Sequence, residues 1–107
     1  MNQFIFFFRG GKSLIKDQSE NKELWTVWIK KLKQQDKLVA GAPLIRDGII
    51  VTENGKTNIF QFNQMENASG FVIVLANNLD EATILSKDCP IFIDGGNITI
   101  RPIIESY

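Results

Sequence analysis

The 107-residue sequence reads as a single α+β domain. Three observations predict that class. β-favouring runs stand at both ends of the chain, two stretches between them carry helical spacing, and turn signals break the middle into short apolar pieces.

The chain opens with Asn2-Gln3-Phe4-Ile5-Phe6-Phe7-Phe8-Arg9, aromatic and apolar, stopped by Gly10-Gly11. This predicts a strand. From about Asp17 to Lys37 the period changes. Leu24, Trp25, Trp28, Ile29 and Leu32 recur at three- and four-residue intervals and form one apolar stripe. Asp17 or Ser19 can cap the start. Glu20 and Glu23 lie early and Lys30, Lys31, Lys33 and Lys37 late, the order that a helix dipole favours. Gly41 and Pro43 are expected to end this helix.

Asp47-Gly48 and Asn54-Gly55 then separate short β-like runs, which predicts one or two hairpins. Residues 63–69 are polar and read as a loop. Phe71–Ala76 is a strand bounded by Gly70 and Asn77. Asn78, with Glu81 three residues on, starts a second helix with Leu79, Ala82, Leu85 and Cys89 inward, and Pro90 stops it. Asn97-Ile98-Thr99-Ile100-Arg101-Pro102 alternates as a final strand. The order is βαββαβ, the pattern of a ferredoxin-like domain whose antiparallel sheet carries its helices on one face.

One feature exceeds that pattern. A sheet covered on one side should alternate apolar and polar residues. Here Phe4, Phe6 and Phe8 point one way while Ile5 and Phe7 point the other, and Phe71–Ala76 is apolar on both faces. Two helices cover one face only. A second copy of the same sheet is the simplest cover for the other, so a homodimer is expected.

Composition narrows the function classes. Lys+Arg and Asp+Glu are 12 each, so the formal net charge is zero. That argues against non-specific binding to nucleic acid or an anionic membrane, where charge supplies most of the affinity. No apolar run approaches the ~20 residues of a membrane helix, and the N-terminal run does not read as a secretory signal. The chain has no His and one Cys. It cannot build a His/Cys zinc site or an internal disulfide, and His acid–base chemistry is excluded. A cytoplasmic location and no cofactor are expected.

The candidate sites each have a plain structural explanation beside them. Gly10-Gly11-Lys12-Ser13 has the end of a phosphate loop but lacks its first glycine, since Phe6 stands there. A strand-ending turn explains it. Cys89, at the end of a helix and without a His to activate it, reads as a packing thiol. Trp25 and Trp28 lie on the helix stripe, where core packing competes with lining a pocket. The run Lys30, Lys31, Lys33 reads as a solvated helix end. Arg9 and Arg101 follow apolar β residues, and Arg9 shares the face of Ile5 and Phe7, the face expected to be covered by the second copy. A guanidinium there needs an acidic partner, such as Glu53, Glu66 or Glu105, or an anionic ligand. The resulting candidate pocket is Arg9, Trp28, Arg101 and Glu66, with no catalytic residue and no metal ligand assigned.

Several separated motifs add a resemblance. Phe6-Phe7-Phe8-Arg9-Gly10-Gly11-Lys12 opens the chain, and Trp28-Ile29, Leu32 and the segment Lys37–Leu44 follow. The strand at Phe71, Leu79–Ala82, Cys89–Ile91 and Gly95–Ile103 complete the series. In this order the chain resembles the YCII-related, or DGPF-domain, family along nearly its whole length, as one domain over 1–107. The resemblance implies a ferredoxin-like fold that pairs into a dimeric α/β barrel with small pockets near the sheet. Where the Asp-Gly-Pro-Phe motif is expected, this chain reads Asn58-Ile59-Phe60-Gln61-Phe62. Neither that Asp nor the His proposed for some members has a counterpart here. The expected function is therefore that of a non-catalytic or small-molecule-binding homodimer, with a small acidic ligand. The alternative is a cofactor-independent isomerase or lyase acting on a small acidic metabolite.

Overall fold

A computed structural model describes residues 1–10, 18–55, 57–59, 61, 63 and 67–107, and the side chains of all these except 18–21 and 57–59. The elements are β1 (Asn2–Arg9), α1 (Gln18–Gln34), β2 (Leu38–Pro43), β3 (Ile49–Val51), β4 (Thr57–Ile59), β5 (Gly70–Ala76), α2 (Leu79–Ser86), a 3₁₀ turn (Pro90–Phe92) and β6 (Asn97–Pro102). Four strands form one sheet in the order β2-β5-β1-β6, and every neighbouring pair is antiparallel. Strands β3 and β4 form a separate hairpin. No helix among the described residues is long and apolar enough to cross a membrane.

The aromatic opening segment is a central strand. Register pairs Phe4 with Val74, Phe6 with Val72 and Phe8 with Gly70 on one side, and Phe4, Phe6 and Phe8 with Pro102, Ile100 and Ile98 on the other. These residues face the helices. Phe4, Phe6, Phe8, Val72, Val74 and Ala76 are buried there with Trp28 and Leu32 of α1, Ala82 of α2, and Cys89 and Ile91 of the following turn. Each fully buried large side chain in such a core contributes about 1.5–3 kcal/mol relative to exposure.

Helix α1 uses Trp25, Trp28, Ile29 and Leu32 as its inward stripe; Leu24 is left largely exposed. The helix stops at Gln34 rather than reaching Lys37. Asp36 takes a left-handed backbone (φ 56°), its N–H donates to the Lys33 carbonyl and the Lys37 N–H donates to the Leu32 carbonyl. This is a Schellman cap closed by Asp where glycine is usual. Gly41 and Pro43 therefore do not end the helix. They lie in β2, the edge strand, where a proline costs no central ladder bond.

The middle of the chain supplies one hairpin among the described residues, around Asn54-Gly55 with Gly55 at φ 73°. It is not part of the main sheet, and Asp47-Gly48 precedes β3 instead of turning a hairpin. In α2, Asn78 caps as expected: its side chain accepts from the Glu81 N–H at 2.8 Å. Ala82 faces the core and Leu85 packs against it, but Leu79 is exposed. Cys89 lies beyond the helix, preceding the 3₁₀ turn.

Candidate functional site

Alternation along β1 and β5 splits the sheet into two unlike faces. On the face away from the helices stand Ile5 and Phe7 of β1 and Phe71, Ile73 and Leu75 of β5, all only half-buried. Thr99 and Arg101 of β6 pair with Phe7 and Ile5 and share this face, and Asn97 pairs with Arg9. Ala40 and Ala42 of β2 flank Ile73 and Phe71 on the opposite side. The centre is apolar, and among the described residues no helix covers it.

Arg9 ends β1 on this face. Its Nη1 donates to Thr99 Oγ1 at 2.8 Å, and its guanidinium carbon lies 5.8 Å from the Phe7 ring centroid. A hydroxyl acceptor and an aromatic face thus hold the fork in one orientation. Arg101 lies one face position along β6 from Thr99 and is exposed. The two arginines share one surface, and none of the strand positions named on it is a carboxylate.

Trp28 is not brought to them. It lies across the sheet in the core, 3% exposed, with its Nε1 donating to the Leu85 carbonyl at 3.2 Å and its ring stacked on Phe6 at a centroid distance of 6.4 Å. Glu66 lies outside the described residues, as do Gly11, Lys12 and Ser13 of the glycine turn. Cys89 is buried, and burial pushes its thiol up to about 12. A thiol in that state is not a nucleophile near neutrality. Glu81 bonds Lys37 Nζ at 3.1 Å and the Asn77 side-chain amide at 2.9 Å, and the Lys37 hydrogen bond holds its carboxyl below the usual glutamate range. Both partners tie the start of α2 to the neighbouring loops, away from the arginine face.

The helix side holds a second feature that the sequence reading did not isolate. Between α1 and the β2–β5 edge lies a cleft of about 750 Å³. Its wall on α1 is one helical face, Lys22, Trp25, Thr26, Ile29, Lys30 and Lys33, spaced so that all point the same way. The floor is made of small residues, Gly41, Ala42, Pro43, Ser69 and Gly70, with Phe8 and Val72 beneath. Large residues create the gap. Trp25 meets Phe8 edge-on at 4.9 Å and Trp28 edge-on at 5.8 Å, so edge-packed aromatics prop the helix off the sheet where β2 offers little side chain to fill the space. Gly41 must stay small. A Cβ there would lie 2.9 Å from the Phe71 carbonyl oxygen and from Val72 Cγ2. The signal available in the sequence was the shared helical face of Lys22, Lys30 and Lys33, which a run read as Lys30, Lys31, Lys33 obscures.

No family model matches the chain, and no curated protein matches it. Its backbone is similar to the solved structure of 5-chloro-2-hydroxyhydroquinone dehydrochlorinase from Burkholderia phenoliruptrix, in complex with 2,5-dihydroxybenzoquinone. The TM-score is 0.65 at 14% identity, with 97% of this chain and 95% of that one covered.

Proposed function

We infer that the chain, with its ferredoxin-like fold, belongs with the dimeric α/β-barrel proteins. We propose that it is a homodimer paired through the open sheet faces, and that it binds a small acidic molecule beside Arg9 and Arg101. The observation that carries this reading is the half-buried apolar centre of Ile5, Phe7, Phe71, Ile73 and Leu75, bordered by two guanidiniums on the same face. An uncovered apolar surface of this kind calls for a partner, and a self-complementary sheet supplies one. Arg9 is preorganised by Thr99 and Phe7, which lowers the entropy lost when it meets a carboxylate. The resemblance to the YCII-related family belongs to this proposal and agrees with the pairing.

The solved structure of similar fold belongs to an enzyme acting on a chlorinated hydroxyhydroquinone, which supports a small oxygen-rich ligand and favours the second reading, a cofactor-independent lyase or isomerase. That reading requires a general base. The strand positions named on the open face supply none, so binding is the function put forward.

The test is a thermal-shift screen of small carboxylates and hydroxyquinones. Wild type is expected to be stabilised by at least one class, and Arg9→Met and Arg101→Met to lose that stabilisation while keeping the dimer mass. Equal shifts in all three proteins would remove the arginines from ligand binding.

A further inference from the structure

The cleft between α1 and the β2–β5 edge lies on the opposite side of the sheet from Arg9 and Arg101, and neither core packing nor the proposed pairing uses it. We propose that it is a binding site for an amphipathic anion, an aromatic or branched apolar body carrying one carboxylate or sulfonate. Three observations fix that class.

The first is size and lining. A volume of about 750 Å³ falls inside the range of small-molecule sites, roughly 300–1,000 Å³. Trp25, Ile29, Phe8, Val72 and Leu38 give it apolar walls, and the small floor residues let a ring approach the sheet backbone. The second is charge. Lys22, Lys30 and Lys33 are the charged residues among the described members of the lining, and none of those members is a carboxylate. Among the described residues these three lysines form no ion pair, whereas Lys31, on the far side of the helix, binds Asp88 at 3.1 Å. Among the described lining residues an anion at the rim thus meets charges of one sign. The third is the arrangement of the two. The lysines are exposed and the apolar wall lies deeper, so a ligand must carry its charge at one end and its rings at the other. Flexible ammonium groups suit this role, because they follow a rim anion as point charges rather than demanding a planar fork.

The test uses two probes with the same ring system. 1-Anilinonaphthalene-8-sulfonate carries the anion, and N-phenyl-1-naphthylamine lacks it. Binding is followed by dye emission and by energy transfer from tryptophan, which Trp25→Phe should reduce. The sulfonate dye is expected to bind at least tenfold tighter than the neutral one. Lys30→Glu with Lys33→Glu should weaken the sulfonate dye at least tenfold and leave the neutral dye within twofold, with the Gln pair giving a smaller loss in the same direction. Lys31→Glu should leave both dyes unchanged. Equal affinity for the two dyes, or an effect of Lys31→Glu as large as the paired change, overturns the anion class. Absence of binding by either dye overturns the site itself. Dependence on Arg9 or Arg101 would move the dye to the open face and likewise overturn it. Urea midpoints measured on every variant ensure that dye uptake reports the folded protein.

Discussion

Trp28→Phe separates a structural tryptophan from one that lines a ligand site. Trp28 is 3% exposed, stacks on Phe6, meets Trp25 edge-on and donates to the Leu85 carbonyl. Replacing it with Ala would remove about 3–5 kcal/mol, close to the whole stability of a small domain, so the milder change is the informative one. Phenylalanine keeps an aromatic ring but leaves part of the indole volume empty and the Leu85 carbonyl without its donor. The lost packing is worth roughly 1–2 kcal/mol, and the hydrogen bond about 1 kcal/mol. A sum of about 2–3 kcal/mol should lower Tm by roughly 10–20 °C in a domain of this size. Urea and thermal unfolding followed by circular dichroism measure it. Ligand-induced shifts should persist in the variant at temperatures where it is folded. A variant as stable as wild type that no longer responds to ligand would refute the placement of Trp28 in the core.

Two further outcomes follow from titratable groups. The Lys37 hydrogen bond lowers the Glu81 carboxyl below its ordinary 4.5, so its stabilising effect is present above that value and lost as pH falls through the folded-state value. Wild type should therefore exceed Glu81→Gln in urea midpoint near neutral pH, with the gap closing in acid below 4.5; a gap that ignores pH would contradict the pair. Burial raises Cys89 from 9.0 to about 12, so its contribution is full below 9.0 and fades as pH rises through that upper value. Iodoacetamide should leave the native thiol unlabelled near neutral pH and label it fully in urea. Rapid labelling of the folded protein would show that the thiol is not buried.

The strands with strong β composition were legible in the sequence. Residues 2–9, 71–76 and 97–102 each combine β-branched or aromatic residues with clear boundaries, and all three are strands of the main sheet. Asn78 and Glu81 placed the start of α2 to the residue. The edge strand was not legible. Leu38-Val39-Ala40-Gly41-Ala42-Pro43 has weak β propensity, and its Gly and Pro resemble helix stops. Its place in the sheet comes from pairing with β5, with a bulge between Leu38 and Ala40, which is a tertiary effect. The Schellman cap at Asp36 hid the end of α1 because the residue is not glycine. The two-faced character of β1 and β5 was readable, since alternation fixes which side chains share a face. Trp28 and Arg9 lie on opposite sides of the sheet, as follows once Ile5 and Phe7 face the second copy and α1 packs on Phe4, Phe6 and Phe8. Side-chain period could not show the cleft, which arises from a mismatch between bulky aromatics on α1 and small residues on β2.

The mass of the protein in solution tests the central claim most directly. Four strands about 4.8 Å apart and some seven residues long at about 3.4 Å each offer a flat footprint of roughly 450 Å² per copy. Two such faces bury about 900 Å², near the lower limit of specific interfaces, so pairing in the micromolar range is expected. Sedimentation equilibrium at high-micromolar concentration should give twice the 12.1 kDa of one copy. Ile73→Lys places a charge at the centre of the open face, and two-fold symmetry introduces it twice. At several kcal/mol per buried ion, that is at least a thousandfold loss of affinity. The variant should sediment as a monomer with an unchanged circular dichroism spectrum, because Ile73 points away from the core that Val72 and Val74 fill. A wild-type protein that stays monomeric, or an Ile73→Lys variant that pairs as wild type does, would contradict the proposed pairing of open sheet faces.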